Sequence, residues 1–116
     1  MAPPVKVGLN IVWVKTPLLA EYAQLAERCG YESLWSGEHI CLSTDPDWWR
    51  GFPGAAALGD AFTEDMVPFT PDSDFPDPLI VLAHLASVTT RVRLGVGIYM
   101  LALRDPVLVG KTLATL

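Results

Sequence analysis

The chain has 116 residues, of which 51% are hydrophobic and 18% are charged, and its formal net charge is -5. This length allows one domain at most, and the apolar content excludes wholesale disorder. The excess of acidic over basic side chains argues against a nucleic-acid partner, which needs a basic surface. No apolar run is long enough to span a membrane, and the first residues lack the pattern of a signal peptide. We therefore expect a cytoplasmic protein with neither a nucleic-acid nor a membrane partner.

The first third of the chain predicts a strand, a helix and a second strand. Residues 5–14 alternate loosely and are rich in β-branched side chains, which favours a strand. Thr16 and Pro17 form a helix start, as N-cap and first-turn proline, and Gly30 ends that helix. The apolar residues predicted to share its buried face are Leu18, Tyr22, Leu25, Ala26 and Cys29. Residues 33–36 follow as the second strand.

Residues 40–77 are predicted to form a long acidic, proline-rich loop. From Asp45 to Asp77 there are eight acidic residues against Arg50 alone, so this stretch carries a net charge of -7. Six of the ten prolines lie between Pro46 and Pro78, and they forbid a continuous helix or a central strand. Loops of this length are typically either covers of active sites or disordered segments.

The last third predicts a helix, a strand and another helix. Asp77 and Pro78 repeat the cap-plus-proline start, for a helix running to about Thr90. Its predicted buried residues are Leu79, Leu82, Ala83 and Ala86. Residues 91–99 read as a third strand, and the pair at 105–106 starts a helix with a stripe of Val109, Leu113 and Leu116. The order of elements predicts an α/β fold with parallel strands joined by right-handed crossovers.

Glu38 and His39 directly follow the second strand, at the end where α/β folds place ligands and catalytic groups. A histidine there can hold or transfer a proton near neutral pH, and the adjacent carboxylate can orient it or bind a hydroxyl. The alternative is a histidine that hydrogen-bonds only to loop backbone. His84, in the middle of a predicted helix, is interpreted as a structural residue.

Other signals are weaker. Trp48 and Trp49 either form an aromatic wall for a ligand or anchor the acidic loop. Residues 95–98 lack the third glycine of a phosphate-binding motif, although a close backbone approach to a ligand is possible. Arg104 could bind an anionic ligand or pair with a loop carbonyl or carboxylate. Two cysteines without a CxxC motif or a Cys/His cluster indicate no metal site and no disulfide framework.

The chain resembles the amino-terminal part of the luciferase-like monooxygenases, a family that includes deazaflavin-dependent oxidoreductases. Four segments carry the resemblance, which excludes only the region from about residue 45 to 66. They are Leu19-Ala20 through Gly30-Tyr31-Glu32-Ser33-Leu34-Trp35, Gly37-Glu38-His39, Phe75-Pro76-Asp77-Pro78-Leu79 through Val92-Arg93-Leu94-Gly95, and Leu101-Ala102-Leu103-Arg104-Asp105-Pro106-Val107-Leu108.

The resemblance implies a TIM barrel that binds coenzyme F-420, with flavin mononucleotide (FMN) as the alternative, at the carboxyl ends of its strands. It implies that His39 is catalytic and lies beside the cofactor ring with Glu38. It also implies a non-proline cis peptide between Gly97 and Ile98 that supports the ring. By this resemblance, Trp48 and Trp49 lie in the loop in which relatives place residues that cover the substrate. Ala102 departs from the usual proline of its segment, which makes the local support of the cofactor different here.

Residues 1–116 are expected to form an amino-terminal, truncated segment of such a barrel, with about three of its eight β/α units. The expected ligands are the cofactor and a small-molecule substrate. An open sheet edge predicts a homo-oligomer or a complementing chain that covers it. The alternative function is a non-catalytic truncated or split fragment that self-associates or needs a complementing chain.

Overall fold

The polypeptide forms two compact units. The computed structural model describes residues 3–45, 47–51, 53–67 and 69–116. The unit that we call the sheet unit comprises Met1–Glu38 and Asp74–Leu116, and the unit that we call the inserted unit comprises His39–Ser73. Predictions that involve the remaining residues, including two prolines of the acidic segment, lie outside the described residues, as does the prediction for the side chain of Trp49.

Three parallel strands form the sheet, in the order β1 (Gly8–Asn10), β2 (Ser33–Ser36) and β3 (Arg93–Val96). The predicted α/β fold with parallel strands is confirmed, and the arrangement is that of a partial β/α barrel. The first and third strands are shorter than predicted, because the central strand β2 offers only four residues for pairing on either side.

Helices alternate with the strands. They are α1 (Leu19–Arg28), α2 (Pro53–Leu58), α3 (Pro78–Ala86) and α4 (Pro106–Thr115), with 3-10 turns at Thr16–Leu18, Trp48–Gly51, Gly59–Ala61, Glu64–Met66 and Leu101–Leu103. Asp77 and Asp105 cap α3 and α4 as predicted, each accepting hydrogen bonds from two backbone amides of the first turn. Thr16 was predicted to cap the first helix, but this is wrong: it begins a 3-10 turn without a side-chain cap, and α1 starts at Leu19.

The core of the sheet unit lies between the strands and α1 and α3. Leu9, Leu34 and Leu94 lie side by side in register, and all three pack in this core. Leu34 and Leu85 are fully buried there. Burying such side chains supplies most of the favourable free energy of folding.

The buried face of α1 differs from the predicted one. Leu19, Ala23 and Ala26 are its buried residues, whereas Leu18, Tyr22, Leu25 and Cys29 are exposed. Of the predicted face only Ala26 is correct. The small alanines let the helix lie close to the sheet, where larger side chains of the strands fill the space.

The faces of α3 and α4 are partly as predicted. Leu79 and Leu82 are buried, but Ala83 and Ala86 are exposed and Val81 and Leu85 are buried in their place. The helix also ends at Ala86, earlier than predicted, because the hydroxyls of Ser87 and Thr89 bind carbonyls of the last turn at 2.6 and 2.8 Å. Of the predicted α4 stripe, Val109 is buried, whereas Leu113 and Leu116 are exposed.

The inserted unit has more local structure than the predicted loop. The alanine-rich run after Pro53 forms α2, since a proline is tolerated in the first turn of a helix. Among the described residues of the inserted unit, the buried apolar side chains are those of Phe62, Val67 and Phe69. A Cβ atom at Gly54 would lie 2.7 Å from the Phe62 ring, so this glycine allows α2 to pack closely.

Candidate functional site

The carboxyl ends of the three strands form one edge of the sheet unit, and the segments that follow them contain the predicted site residues. Trp13 follows β1 and is 50% exposed, Glu38 follows β2, and Ile98 follows β3 and is 80% exposed. The peptide bond between Gly97 and Ile98 is cis, as expected from the resemblance. This edge therefore carries an exposed apolar side chain after each outer strand and the carboxylate of Glu38 after the central strand.

Glu38 is the best-buried carboxylate of this edge, with a side chain that is 2% exposed. Its Oε2 atom accepts hydrogen bonds from the Met100 amide at 2.7 Å and from Nη1 of Arg104 at 3.0 Å. Its Oε1 atom accepts a further hydrogen bond from Nη2 of Arg104. Both oxygens are thus occupied, and the carboxylate ties the end of β2 to the segment that follows β3.

Arg104 binds two carboxylates. Besides Glu38, its Nη2 atom donates to Oδ2 of Asp77 at 3.0 Å, and its guanidinium lies 4.3 Å from the centre of the Tyr99 ring. The hydrogen bond with Glu38 raises the pKa of Arg104, and burial raises the pKa of the Tyr99 hydroxyl. Of the two interpretations of Arg104, pairing with a carboxylate is confirmed.

Trp35 lies across the face of the sheet opposite the core, an arrangement that was not among the predictions from the sequence. Its Nε1 atom donates to the Ser33 hydroxyl at 2.9 Å. A Cβ atom at Gly8 of β1 would lie 2.8 Å from Nε1, and one at Gly95 of β3 would lie 2.7 Å from Cζ3. The close approach predicted at residues 95–98 is therefore, at Gly95, an approach to this indole. The sequence signal for this arrangement is a glycine on each of the two strands next to Trp35, because a large side chain there leaves no space for a Cβ atom.

Within the inserted unit, His39 and Trp48 both contact Phe69. The ring centres lie 4.9 Å apart for His39 and 5.3 Å apart for Trp48, and Phe69 is 5% exposed. Phe69 was missed because an isolated phenylalanine between prolines has no periodic pattern. Trp48 thus packs against a residue of its own unit, and its role in substrate binding stays a prediction. The catalytic role of His39 stays a prediction, and His84 is exposed on α3.

The carboxyl edge fits the ring of a flavin or deazaflavin better than its phosphate. The face of a planar ring packs on open apolar surface, which Ile98 supplies. Within the described part of the chain, a Cβ atom at Gly97 would meet only the Trp35 ring, at 3.7 Å. Both Nη atoms of Arg104 already donate to carboxylates, Nη1 to Glu38 and Nη2 to Glu38 and Asp77. The residues described here therefore fit one part of such a cofactor.

A family model described as luciferase-like monooxygenase matches residues 16–116. No curated protein matches the chain. In the described parts of the chain, no helix has both the length and the apolar character needed to cross a membrane, and no group of three His, Cys, Asp or Glu side chains could hold a metal ion.

Proposed function

The chain belongs to the luciferase-like monooxygenase family, a family of oxidoreductases that use flavin or coenzyme F-420, and from this membership we propose that it forms part of a hydride-transferring site. The proposed reaction moves a hydride between coenzyme F-420 and a small organic substrate. The alternative is reduced FMN reacting with oxygen and substrate. In either case the bound cofactor would supply the redox chemistry, by hydride transfer for coenzyme F-420 or by reaction with oxygen for reduced FMN, and the protein would supply position and electrostatics.

The arrangement of Glu38 is the observation that carries this proposal. Its buried carboxylate binds the Met100 amide and Arg104, and so connects the end of β2 with the segment containing Gly97 and Ile98. That segment and its exposed side chain would hold one side of the cofactor ring. Glu38 contributes to cofactor binding by fixing this segment, since both of its oxygens already have partners in the chain.

We propose that His39 holds or moves a proton at one of its ring nitrogens during turnover. Replacing it by alanine should lower turnover much more than stability. His84→Ala is the matched control, because it removes an exposed histidine from α3. Equal losses of folding stability and turnover in the His39 variant would contradict a catalytic role.

Trp48 and Trp49 are proposed to contribute to substrate binding. Trp48→Ala should then chiefly weaken the affinity for substrate. Because Trp48 also contacts Phe69, the unfolding curve of the variant must be measured in parallel with its affinity for substrate.

Titration of the purified chain with coenzyme F-420 and with FMN tests the cofactor proposal. Binding is followed by cofactor fluorescence, and we expect saturation at micromolar concentrations, with the tighter ligand identifying the cofactor. Glu38→Gln should weaken binding, whereas Glu21→Gln, on α1, should not. The absence of saturable binding of both cofactors would refute the proposal for this chain.

The open sheet favours a second proposal about partners. Within the described residues, β1 and β3 each pair with β2 alone, so each has one edge without a strand partner. We propose that a second copy or a complementing chain covers such an edge, which would also suit a fragment that is not catalytic by itself. Native mass spectrometry tests this proposal, and a monomer at all concentrations would contradict self-association.

A further inference from the structure

Half of the basic side chains of this acidic protein surround a single cavity. The chain contains eight Lys and Arg residues in total. Four of them line a cavity of about 460 Å³ in the sheet unit: Lys6, Arg28, Arg91 and Arg93. Lys6 precedes β1, and Arg93 begins β3, so the cavity lies at the amino ends of the strands. It is therefore at the opposite end of the sheet from Glu38.

The two carboxylates of this cavity are already engaged. Oε2 of Glu27 accepts hydrogen bonds from the backbone amides of Thr90, Arg91 and Val92 at 2.9, 2.6 and 2.9 Å. These amides lower the pKa of Glu27 to about 2, because they stabilise its charged form. Glu32 forms ion pairs with Arg93 and, at 3.9 Å, with Lys6. Four cations against two carboxylates leave the cavity with an excess of two positive charges.

The guanidinium groups of Arg28 and Arg91 have most of their donors available. The Arg28 side chain forms no hydrogen bond or ion pair within the described residues, and Arg91 donates from Nη2 to the Glu27 carbonyl at 3.4 Å. A guanidinium carries five N–H donors in a planar fork, which matches the oxygens of a phosphate. Two such groups on one cavity form a suitable surface for an oxyanion.

We propose that this cavity binds a small phosphorylated molecule, with Arg28 and Arg91 contacting the phosphate. The volume of about 460 Å³ exceeds that of a lone phosphate and lies in the range of small-molecule sites. The half-buried Tyr31 ring forms part of the wall and would contact the organic part of the ligand. The proposal is independent of the proposed oxidoreductase function, because none of its residues lies at the carboxyl edge.

Isothermal titration of the purified chain with inorganic phosphate and with pyrophosphate tests this proposal, with ionic strength matched by sodium chloride. We expect saturable binding that is tighter for pyrophosphate. The double variant R28S/R91S should weaken it by about tenfold or more, because charge-assisted hydrogen bonds contribute strongly to such contacts. The control K15S/K111S removes the same charge from positions outside the cavity and should change the affinity less than about twofold.

These measurements distinguish phosphate binding in the cavity from a general attraction between the phosphate and positive charges on the protein. Equal weakening by the two double variants, or no saturable binding to the unaltered chain, would overturn it. Circular dichroism establishes that each variant is folded. If R28S/R91S does not fold, R28K/R91K keeps the charge while removing the planar fork, and it should still weaken binding several-fold. Unchanged affinity in that variant would also overturn the proposal.

Discussion

The indole of Trp35 makes a strong prediction about Gly95. Gly95→Ala adds a Cβ atom that would lie 2.7 Å from Cζ3 and 2.8 Å from Cε3 of the indole, closer than van der Waals contact allows. The indole cannot move freely along the sheet, because its other edge lies against Gly8 and its Nε1 atom is bound to Ser33. The substitution must therefore push the ring away from the sheet and break that hydrogen bond.

The expected cost of Gly95→Ala is about 1–3 kcal/mol of unfolding free energy, the usual range for overpacking. A double-mutant cycle identifies the cause. When Trp35→Ala removes the ring, the added methyl group has space, so Gly95→Ala should cost less than about 0.5 kcal/mol in that background. The coupling between the two positions should then be about 0.5 kcal/mol or more.

Urea unfolding followed by far-ultraviolet circular dichroism measures these values without relying on the fluorescence of Trp35. Gly110→Ala is the matched control. Among the described residues, apart from its chain neighbours and the nearby backbone of its own helix, no atom lies within 4 Å of a Cβ at this position inside α4. The same substitution should therefore raise stability by up to about 1 kcal/mol through helix propensity. An equal cost of Gly95→Ala with and without the indole would refute the assignment of Trp35 as the obstacle.

Three further predictions concern stability. Leu34→Ala should cost about 2–5 kcal/mol in urea unfolding, whereas Ile80→Ala, at a side chain 67% exposed, should change it by less than about 0.5 kcal/mol. Asp105→Ala should cost about 1 kcal/mol through loss of the α4 cap, and Asp105→Ser should restore most of it. The pKa of Glu27 is lowered from 4.5 to about 2, so the charged Glu27 contributes to folding stability fully above pH 4.5, and this contribution is lost as the pH falls towards 2. Glu27→Gln should therefore make the unfolding free energy depend less on pH in that window, and an unchanged slope would contradict this.

Local signals were read from the sequence with good accuracy. An aspartate followed by a proline predicts the start of α3 and of α4, and in both cases the carboxylate accepts the amides of the first turn. All the atoms involved lie within four residues, so no distant contact is needed. Thr16 and Pro17 carry a similar signature, but the first turn there is a 3-10 turn and the hydroxyl caps no amide.

The buried face of a helix was harder to predict, because it depends on what packs against it. The sequence around α1 offers two apolar stripes, one made of large side chains and one that contains two alanines. The large side chains of Leu18, Tyr22 and Leu25 favour the first by hydrophobicity alone. The structure buries the second stripe, around Ala23, since Leu34 and Leu85 already occupy the core. Such complementarity joins residues far apart in the chain.

The same limit applies to the site. Position alone places Glu38 at the carboxyl end of β2, and the sequence leaves open whether Arg104 pairs with a carboxylate. It could not identify Glu38 as the partner, which lies 66 residues away. Both residues now have an assigned contact, and Asp77 joins them while it also caps α3. A charged residue near a site is therefore a weak signal until its partners are known.

The net charge of the chain is distributed unequally between the two units. The inserted unit has six acidic residues against Arg50, so it carries the entire net charge of -5, whereas the sheet unit has seven of each sign. Within the sheet unit the charges are separated along the strands. The cavity at the amino ends has an excess of two positive charges, while at the carboxyl edge Glu38 and Asp77 together outweigh Arg104. An anion near this unit is therefore attracted to the amino ends of the strands, and that attraction should weaken as salt is added.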